Sequence, residues 1–223
     1  MNKLRMIFRK FKGINIRKSI YANFAYMPFS KAIKFPIFVY GKTNIHKPKK
    51  GLINITPQFL RAGILNIGQP ILGYQPKNAV TVFNIKGKMN INGKFTIGKG
   101  SAIEVGKEAT FTVGNETIIT GNTTILCTNE INIGNRCMIS WDNLIMDTDW
   151  HNIIAADNGN VFPKQKPINI GDHVWIGCRC TILKGTRIGN DSIVASNSKL
   201  TKAIEGNNIL IGSNIILRTN VTW

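Results

Sequence analysis

"IGDHVWIGCRCTILKGTRIGNDSIVASNSKL", residues 170–200, carries an aliphatic side chain at every sixth position. These side chains belong to Ile170, Ile176, Ile182, Ile188, Val194 and Leu200. An α-helix would repeat its apolar positions at steps of three and four, and a half-buried strand would alternate them. A period of six fits neither pattern. It predicts a β-solenoid, in which short strands lie on flat faces and Gly or Asn occupies the corners.

The position four residues after each aliphatic is also small or of medium size. It is occupied by Val174, Cys180, Thr186, Ser192 and Ser198. Such side chains can lie beside the core position without overfilling it. Cys137 holds the same place in the hexad IGNRCM, so we expect Cys137 and Cys180 to be packing residues rather than reactive thiols.

The step of six continues outside this stretch. Earlier hexads run in two phases that begin at Ile85 and Val113, and the step resumes near the C-terminus at Ile209, Ile215 and Val221. Before about residue 60 the hexads fade. We therefore divide the chain into a basic, partly helical or irregular N-terminal segment, residues 1–50, and a solenoid domain, residues 51–223.

The positive charge of the chain belongs to its N-terminal half. The formal net charge is +18, and residues 1–103 hold 19 Lys and Arg with no Asp or Glu, against 10 and 11 in the remainder. Such a charge attracts anionic partners of any kind. Basic residues mixed with Met, Ile, Phe and Tyr suit either a helix in peripheral contact with an anionic membrane or a basic cap on the solenoid. Both alternatives stay open.

The compartment is predicted from two further features. The N-terminal apolar runs are too short to span a bilayer, and the basic start is not followed by the pattern of a secretory signal. The four cysteines lack both the paired CxxC spacing of a zinc site and the density of a disulfide scaffold. We expect a cytoplasmic protein with reduced thiols, able to contact the inner membrane leaflet.

The segment "MDTDWHNII", residues 146–154, interrupts the hexads. It is followed by "AADNGNVFPKQKP", whose Gly, Pro, Asn and Asp predict an extruded loop over about residues 150–167. His151 lies at the root of this loop, and loops on rigid scaffolds commonly carry chemistry. Counting six residues from Ile145 also reaches His151, so an inward coil position is the alternative.

The tandem hexads, the DTDWH segment, the extruded loop and "PINIGDHVWIGCRCTILKGTRIG" together resemble the hexapeptide-repeat acyltransferases. Within that family the chain is most similar to the O-acetyltransferases of bacterial surface polysaccharide synthesis, over about residues 80–223. The resemblance implies an all-β, left-handed parallel β-helix and a homotrimer with active sites between subunits. It also implies acetyl-CoA as donor, a glycan acceptor that is free or lipid-linked, and no metal.

The family's catalytic histidine precedes the extruded loop, a place that His151 holds here. A general base of this type takes the proton of a sugar hydroxyl as it attacks a thioester carbonyl, and imidazole, with an unperturbed pKa of about 6.5, suits the task. Asp149 or Asp147 would orient the imidazole or stabilise its charged form. Spacing does not choose between them.

The resemblance also places residues along the donor and at the acceptor. The donor residues would be Trp175, Cys178, Ser196, Thr201, Lys202 and Arg218. Trp175 would lie near the acetyl end and Arg218 near a phosphate, with the sulfur of Cys178 a neighbour of the donor rather than a nucleophile. Asn122, in TGNTT, is the nearest match to the family's acceptor-binding asparagine.

Three alternatives are weighed against this reading. A γ-type carbonic anhydrase would need three zinc-binding histidines at a fixed spacing across two coils, which His46, His151 and His173 do not show. An N-acetyltransferase on an amino sugar would use the same fold, histidine and donor. A non-catalytic basic binding module is the third, although no helix-turn-helix, zinc-finger or aromatic RNA-binding signature indicates nucleic acid.

Overall fold

The computed structural model describes residues 13–223 as a solenoid of parallel strands with a helical cap. Three sheets of nine, seven and seven strands form its faces, and the chain visits them in turn. Face 1 contains β1 (Ile37–Val39), β4 (Leu65–Gln69), β7 (Phe95–Gly98), β10 (Thr117–Ile119), β13 (Met138–Ile139), β18 (Trp175–Ile176), β21 (Ile193–Val194), β24 (Ile209–Gly212) and β25 (Ile215–Thr219). Face 2 contains β2 (Thr43–Ile45), β5 (Thr81–Ile85), β8 (Ala102–Val105), β11 (Thr124–Cys127), β14 (Leu144–Met146), β19 (Thr181–Leu183) and β22 (Lys199–Leu200). Face 3 contains β3 (Ile53–Ile55), β6 (Lys88–Ile91), β9 (Thr110–Val113), β12 (Glu130–Ile133), β17 (Ile168–Ile170), β20 (Arg187–Ile188) and β23 (Ala203–Ile204).

The period of six is the distance along the chain from one face to the next. Ile170, Ile176 and Ile182 lie on faces 3, 1 and 2, and Ile188 returns to face 3 in register with Ile170. All six aliphatics of residues 170–200 are buried, as are the five small residues that follow them at the fourth position. The core is therefore one column of aliphatic side chains along the solenoid axis, as the sequence predicts.

Each corner is named by the two faces that it joins. Corner 1–2 repeats a left-handed backbone conformation in successive coils, at Asn122, Asp142, Arg179 and Asn197, with φ of 48°, 59°, 58° and 63°. Asn and Asp tolerate this region better than most residues. The strain of a sharp corner is therefore placed mostly on residue types that bear it at low cost.

The solenoid begins before residue 51. Strands β1 and β2 pair in parallel with β4 and β5, so the first coil starts at Ile37. The sequence did not predict this coil, because its strands lack the regular hexads of the later turns. The helix α1 (Ile16–Tyr26) and the short helix α2 (Phe29–Ala32) precede it, with a 3₁₀ turn at Pro57–Phe59 following β3.

Helix α1 caps the open edge of face 1. The Asn23 side chain pairs with both backbone groups of Ile37, donating to its carbonyl at 2.7 Å and accepting from its N–H at 3.0 Å. The Ser19 hydroxyl accepts from the N–H of Val39 at 2.9 Å. These contacts supply hydrogen-bond partners to backbone groups of a sheet edge that would otherwise be free to pair with another chain.

Among residues 13–223, no helix is long and apolar enough to cross a membrane.

The solenoid ends differently from the prediction. Ile209 is buried in the core, but β25 folds back antiparallel to β24 and leaves Ile215 exposed. The turn is made by Ser213 and Asn214, which both adopt positive φ. The step of six from Ile209 to Ile215 and Val221 is therefore not a coil, because a hairpin reverses the chain there.

Candidate functional site

The extruded loop leaves the solenoid at corner 2–3. It starts after β14 and returns at β17, and it contains a small antiparallel hairpin of β15 (Ile153–Ile154) and β16 (Val161–Phe162). All four residues of the hairpin strands are exposed. The other coils described here join faces 2 and 3 with two to seven residues, so this long loop is an insertion into a rigid frame.

Asp147 clamps the root of this loop. Its side chain is fully buried, and one carboxylate oxygen accepts from the N–H of Thr128 at 2.8 Å and from its hydroxyl at 2.9 Å. The other oxygen accepts from the N–H of Asn129 at 2.8 Å. Gln165, on the returning arm of the loop, donates to the Thr128 hydroxyl at 2.9 Å. Both carboxylate oxygens of Asp147 are therefore bound to the preceding coil, which gives this residue a part in holding the loop.

His151 projects from the loop just beyond this clamp. The side chain of His151 is exposed, which excludes the inward coil position. The backbone N–H of His151 donates to the carbonyl of Asp149 at 2.7 Å. Trp150 between them adopts φ of 63°, and its N–H donates to the Thr148 hydroxyl at 3.0 Å. The tight turn thus holds the backbone of His151 while its ring faces solvent, where a substrate can reach it.

Lys184 is a member of the site that sequence reasoning missed. Its ammonium group forms an ion pair with the Asp149 carboxylate and donates to the carbonyl of Pro163 at 2.6 Å. Asp149 in turn donates its N–H to the carbonyl of Lys164 at 2.8 Å. Both arms of the loop are thereby tied to the next coil. The sequence carries no specific signal for Lys184, which occupies an ordinary corner of the repeat.

Four of the predicted donor residues flank face 2. Cys178 and Ser196 lie at corner 1–2 of consecutive coils, with 3.5 Å between sulfur and hydroxyl oxygen. Thr201 and Lys202 lie at corner 2–3, between β22 and β23 and on the same edge of face 2 as the loop of His151. Thr201 is held by Asn214, whose side chain accepts from its N–H at 2.8 Å.

The other two predicted donor residues lie on face 1. Register pairs join Trp175 to Ile193, Ile193 to Leu210 and Leu210 to Arg218, so Trp175 and Arg218 share one outward row. The Trp175 indole donates to the Ser140 hydroxyl at 3.1 Å. Within one chain, the predicted donor residues are therefore split between two faces.

Trp175 and His173 are both covered by the C-terminal Trp223. The Trp223 ring stacks on the His173 imidazole with 4.6 Å between centroids, and its centroid is 6.0 Å from that of Trp175. The Trp223 indole donates to the carbonyl of His173 at 3.0 Å. His173 also pairs with Asp191 at 2.9 Å, so it is held in a corner contact.

A second excursion, which the sequence analysis also missed, lies over corner 1–2. Between β4 and β5 the side chain of Gln75 is buried, and its amide donates to the carbonyl of Lys99 at 2.7 Å and to the Asn122 side chain at 3.3 Å. Tyr74 meets Trp141 edge to face at 6.1 Å. Asn122 thus belongs to the opposite edge of face 2 from His151. The available signal was the break in hexads between Gln69 and Thr81, marked by two prolines and a glycine.

The buried thiols are poor nucleophiles. Desolvation by burial raises the pKa of Cys137 to about 11 and also raises the pKa of Cys180 and of Cys127 above the ordinary thiol range. Cys137 and Cys180 are buried, as their place in the hexad predicts. Cys178 is half-exposed, which leaves it accessible beside Ser196.

Comparison with known proteins agrees with this architecture. The family model described as bacterial transferase hexapeptide (six repeats) matches residues 167–202. The match lies in the stretch of hexads from Ile170 to Leu200. The chain is 40% identical over 78 residues to the polysialic acid O-acetyltransferase of Neisseria meningitidis, which covers 35% of this chain and 34% of that protein. It is 27% identical over 100 residues to the galactoside O-acetyltransferase of Lactococcus lactis subsp. lactis (strain IL1403), which covers 45% of this chain and 48% of that protein.

The matched regions span about a third to a half of the length of these two curated relatives. The solved structure of the polySia-specific acetyltransferase NeuO is similar in fold, with a TM-score of 0.53 and 20% identity over 84% of this chain and 78% of that one. The predicted left-handed parallel β-helix of this hexapeptide-repeat protein is thereby confirmed.

Proposed function

We propose that this hexapeptide-repeat protein is an acetyl-CoA-dependent O-acetyltransferase. Its acceptor would be a sugar hydroxyl of a bacterial surface polysaccharide or of its lipid-linked precursor, and the reaction would take place in the cytoplasm, where acetyl-CoA is made. The observation that carries the proposal is the exposed His151, on a loop fixed to the coil by Asp147 and Lys184. Both curated relatives named above are O-acetyltransferases of sugars, which favours an ester over an amide product.

In the proposed reaction, the imidazole of His151 takes the proton of the acceptor hydroxyl while the hydroxyl oxygen attacks the thioester carbonyl. The tetrahedral intermediate collapses with cleavage of the C–S bond, and the departing thiolate takes the proton back from the imidazolium. The products are an O-acetyl ester and free CoA. Asp149 lies two residues before His151 in the chain, and its carboxylate forms an ion pair with Lys184. We assign to Asp149 the electrostatic stabilisation of the imidazolium.

Asp147 has a positioning role in this scheme, since its carboxylate holds the loop root rather than the imidazole. Of the predicted donor residues, Lys202 and Arg218 carry the positive charge that CoA phosphates require. Cys178, Ser196 and Thr201 supply small polar groups along the edges of face 2. Asn122, fixed by Gln75, is assigned to the acceptor side.

A homotrimer accounts for the division of these residues between two faces. The outward rows of faces 1 and 2 are unusually apolar for a solvated surface, and these half-exposed side chains are Ile118, Met138, Ile193, Leu210, Leu126, Leu144, Met146 and Leu183. If face 1 of one subunit packs on face 2 of the next, the contact is heterologous, and a rotation of about 120° between subunits would close it into a ring of three. The row of Trp175 and Arg218 in one subunit would then lie against face 2 of its neighbour, whose corner 2–3 carries Lys202 and His151.

The first test is transfer from radiolabelled acetyl-CoA to polysialic acid and to galactosides, the acceptor types of the two relatives. His151→Ala should lower the rate by about 10²–10⁴-fold, the usual contribution of a general base, while calorimetry shows acetyl-CoA binding unchanged. His46→Ala, an exposed histidine outside the loop, is the matched control. Full transfer by His151→Ala would refute the assigned base.

Treatment of the product with mild alkali distinguishes O-acetyl transfer from N-acetyl transfer. An O-acetyl ester releases its label, whereas the amide made by an N-acetyltransferase keeps it. Saturable acetyl-CoA binding that is weakened by Trp175→Ala supports the donor site. Absence of acetyl-CoA binding would instead favour a non-catalytic basic module.

A further inference from the structure

The outward surface of the helical cap is apolar. Terminal units of solenoids normally present a polar outer face. Here Ile16, Ile20, Tyr21, Phe29 and Ile33 are exposed by 69%, 44%, 52%, 69% and 52%. We call these five residues the cap face. A cluster of large exposed apolar side chains on a soluble domain commonly marks an interaction surface.

The cap face is continuous across both helices. Helix α1 turns Ser19, Ala22, Asn23 and Tyr26 towards the first coil, which leaves Ile20 and Tyr21 on the outer side. The half-buried Phe24 joins the helices, because its ring lies 5.9 Å from that of Phe29. Ile33 follows Phe29 at a helical spacing of four residues.

The charged residues of the two cap helices and of the turn after them are all cations. Arg17 and Lys34 are exposed and Lys31 is half-buried, whereas the half-buried Lys18 donates to the carbonyl of Thr43 at 2.6 Å. A second copy of the chain is a poor occupant, because two uniformly cationic surfaces would repel each other. Apolar side chains interspersed with Lys and Arg are the composition of helices that lie in a membrane interface.

We propose that the cap face docks on an anionic phospholipid bilayer. Phe29, Ile20 and Ile33 would enter the boundary between head groups and acyl chains, and the neighbouring cations would bind the head groups. Each Lys or Arg near such a surface contributes about fivefold to partitioning. The docking stands without the proposed acetyl transfer, and only its purpose, bringing the solenoid to a lipid-linked acceptor, rests on that function.

The experiment is co-sedimentation of the full chain with vesicles of 70% phosphatidylcholine and 30% phosphatidylglycerol. Vesicles of phosphatidylcholine alone and a fivefold increase in salt serve as comparisons. The triple variant Ile20→Ser, Phe29→Ser, Ile33→Ser keeps every cation, and we expect it to bind at least tenfold more weakly. The double variant Arg17→Glu, Lys34→Glu should also weaken binding. Loss of two cations alone would weaken it roughly 25-fold, and the two added carboxylates should weaken it further.

Matched controls test the location. Ile215→Ser with Leu217→Ser removes exposed apolar side chains from the far end of the solenoid, and Lys107→Glu reverses a charge away from the cap. Neither should change sedimentation beyond twofold. Circular dichroism and acetyl-CoA binding show that each variant is folded, and they keep failure of docking separate from failure of the enzymatic proposal.

Two results would overturn the inference. Equal binding to neutral and anionic vesicles would exclude the role of charge. The second result is that the triple variant binds anionic vesicles as well as the unmodified protein does, and that soluble polyphosphate abolishes this binding. The protein would then bind polyanions by charge alone and would not dock through the cap face.

Discussion

Replacing Asp147 by alanine is expected to release the root of the extruded loop. The substitution removes three hydrogen bonds, two from backbone N–H groups and one from the Thr128 hydroxyl, all between 2.8 and 2.9 Å. Each backbone donor left without an acceptor costs about 1–3 kcal/mol, and the lost hydroxyl bond about 1 kcal/mol. We therefore expect the free energy of unfolding to fall by about 3–7 kcal/mol.

Urea unfolding at fixed protein concentration measures this change, since association would otherwise shift the midpoint. Hydrogen exchange at the amides of Thr128 and Asn129 reports the same contacts locally, and both should exchange faster. Asp157→Ala, at the exposed tip of the loop, is the matched control and should stay within about 0.5 kcal/mol of the unmodified protein. If Asp147→Ala behaves like this control and the two amides stay protected, the clamp is not what holds the loop.

Two further predictions concern the coil. Gly98→Ala should destabilise the protein by about 3 kcal/mol or more, because the new Cβ would lie 2.2 Å from the carbonyl oxygen of Thr120. Gly73→Ala is the matched control, since a Cβ there meets nothing within 4 Å. Thermal unfolding of both variants measures the difference, and equal melting temperatures would contradict the prediction. In native protein at pH 8, Cys178 should react with a thiol reagent while Cys137 does not, because burial raises the pKa of Cys137 to about 11. A raised pKa keeps the thiol protonated in the folded state, so the stability it contributes is present below pH 9 and declines by up to about 3 kcal/mol as pH rises towards 11. Rapid labelling of Cys137 below pH 9, followed by mass spectrometry, would contradict its assignment as a packing residue.

The hexads predicted most of the fold because a coil of three faces repeats the same core position, small position and corner every six residues. Each aliphatic of residues 170–200 fills the same column, and each small residue after it fills the same gap. Asn or Asp recurs at the corners because the backbone must adopt positive φ there. Such constraints act on short stretches of chain, so they leave a direct trace in the sequence.

The ends of the solenoid were predicted less well. The first coil is closed by Asn23 and Ser19, polar side chains that replace a missing strand, and no hexad marks such contacts. At the other end, Ile215 keeps the step of six yet lies outside the core, because Ser213 and Asn214 turn the chain back. An end has a neighbour on one side only, so the periodic pattern loses its physical cause there.

The sequence by itself determined the repeat, the place of the extruded loop and the candidate base His151, since each depends on residues close together in the chain. Tertiary structure alone decided that Asp147 binds Thr128 and that Lys184 binds Asp149, because these partners are separated by a whole coil. Spacing along a chain fixes which face a residue occupies, whereas an ion pair or a shared pocket depends on which coils are stacked next to each other.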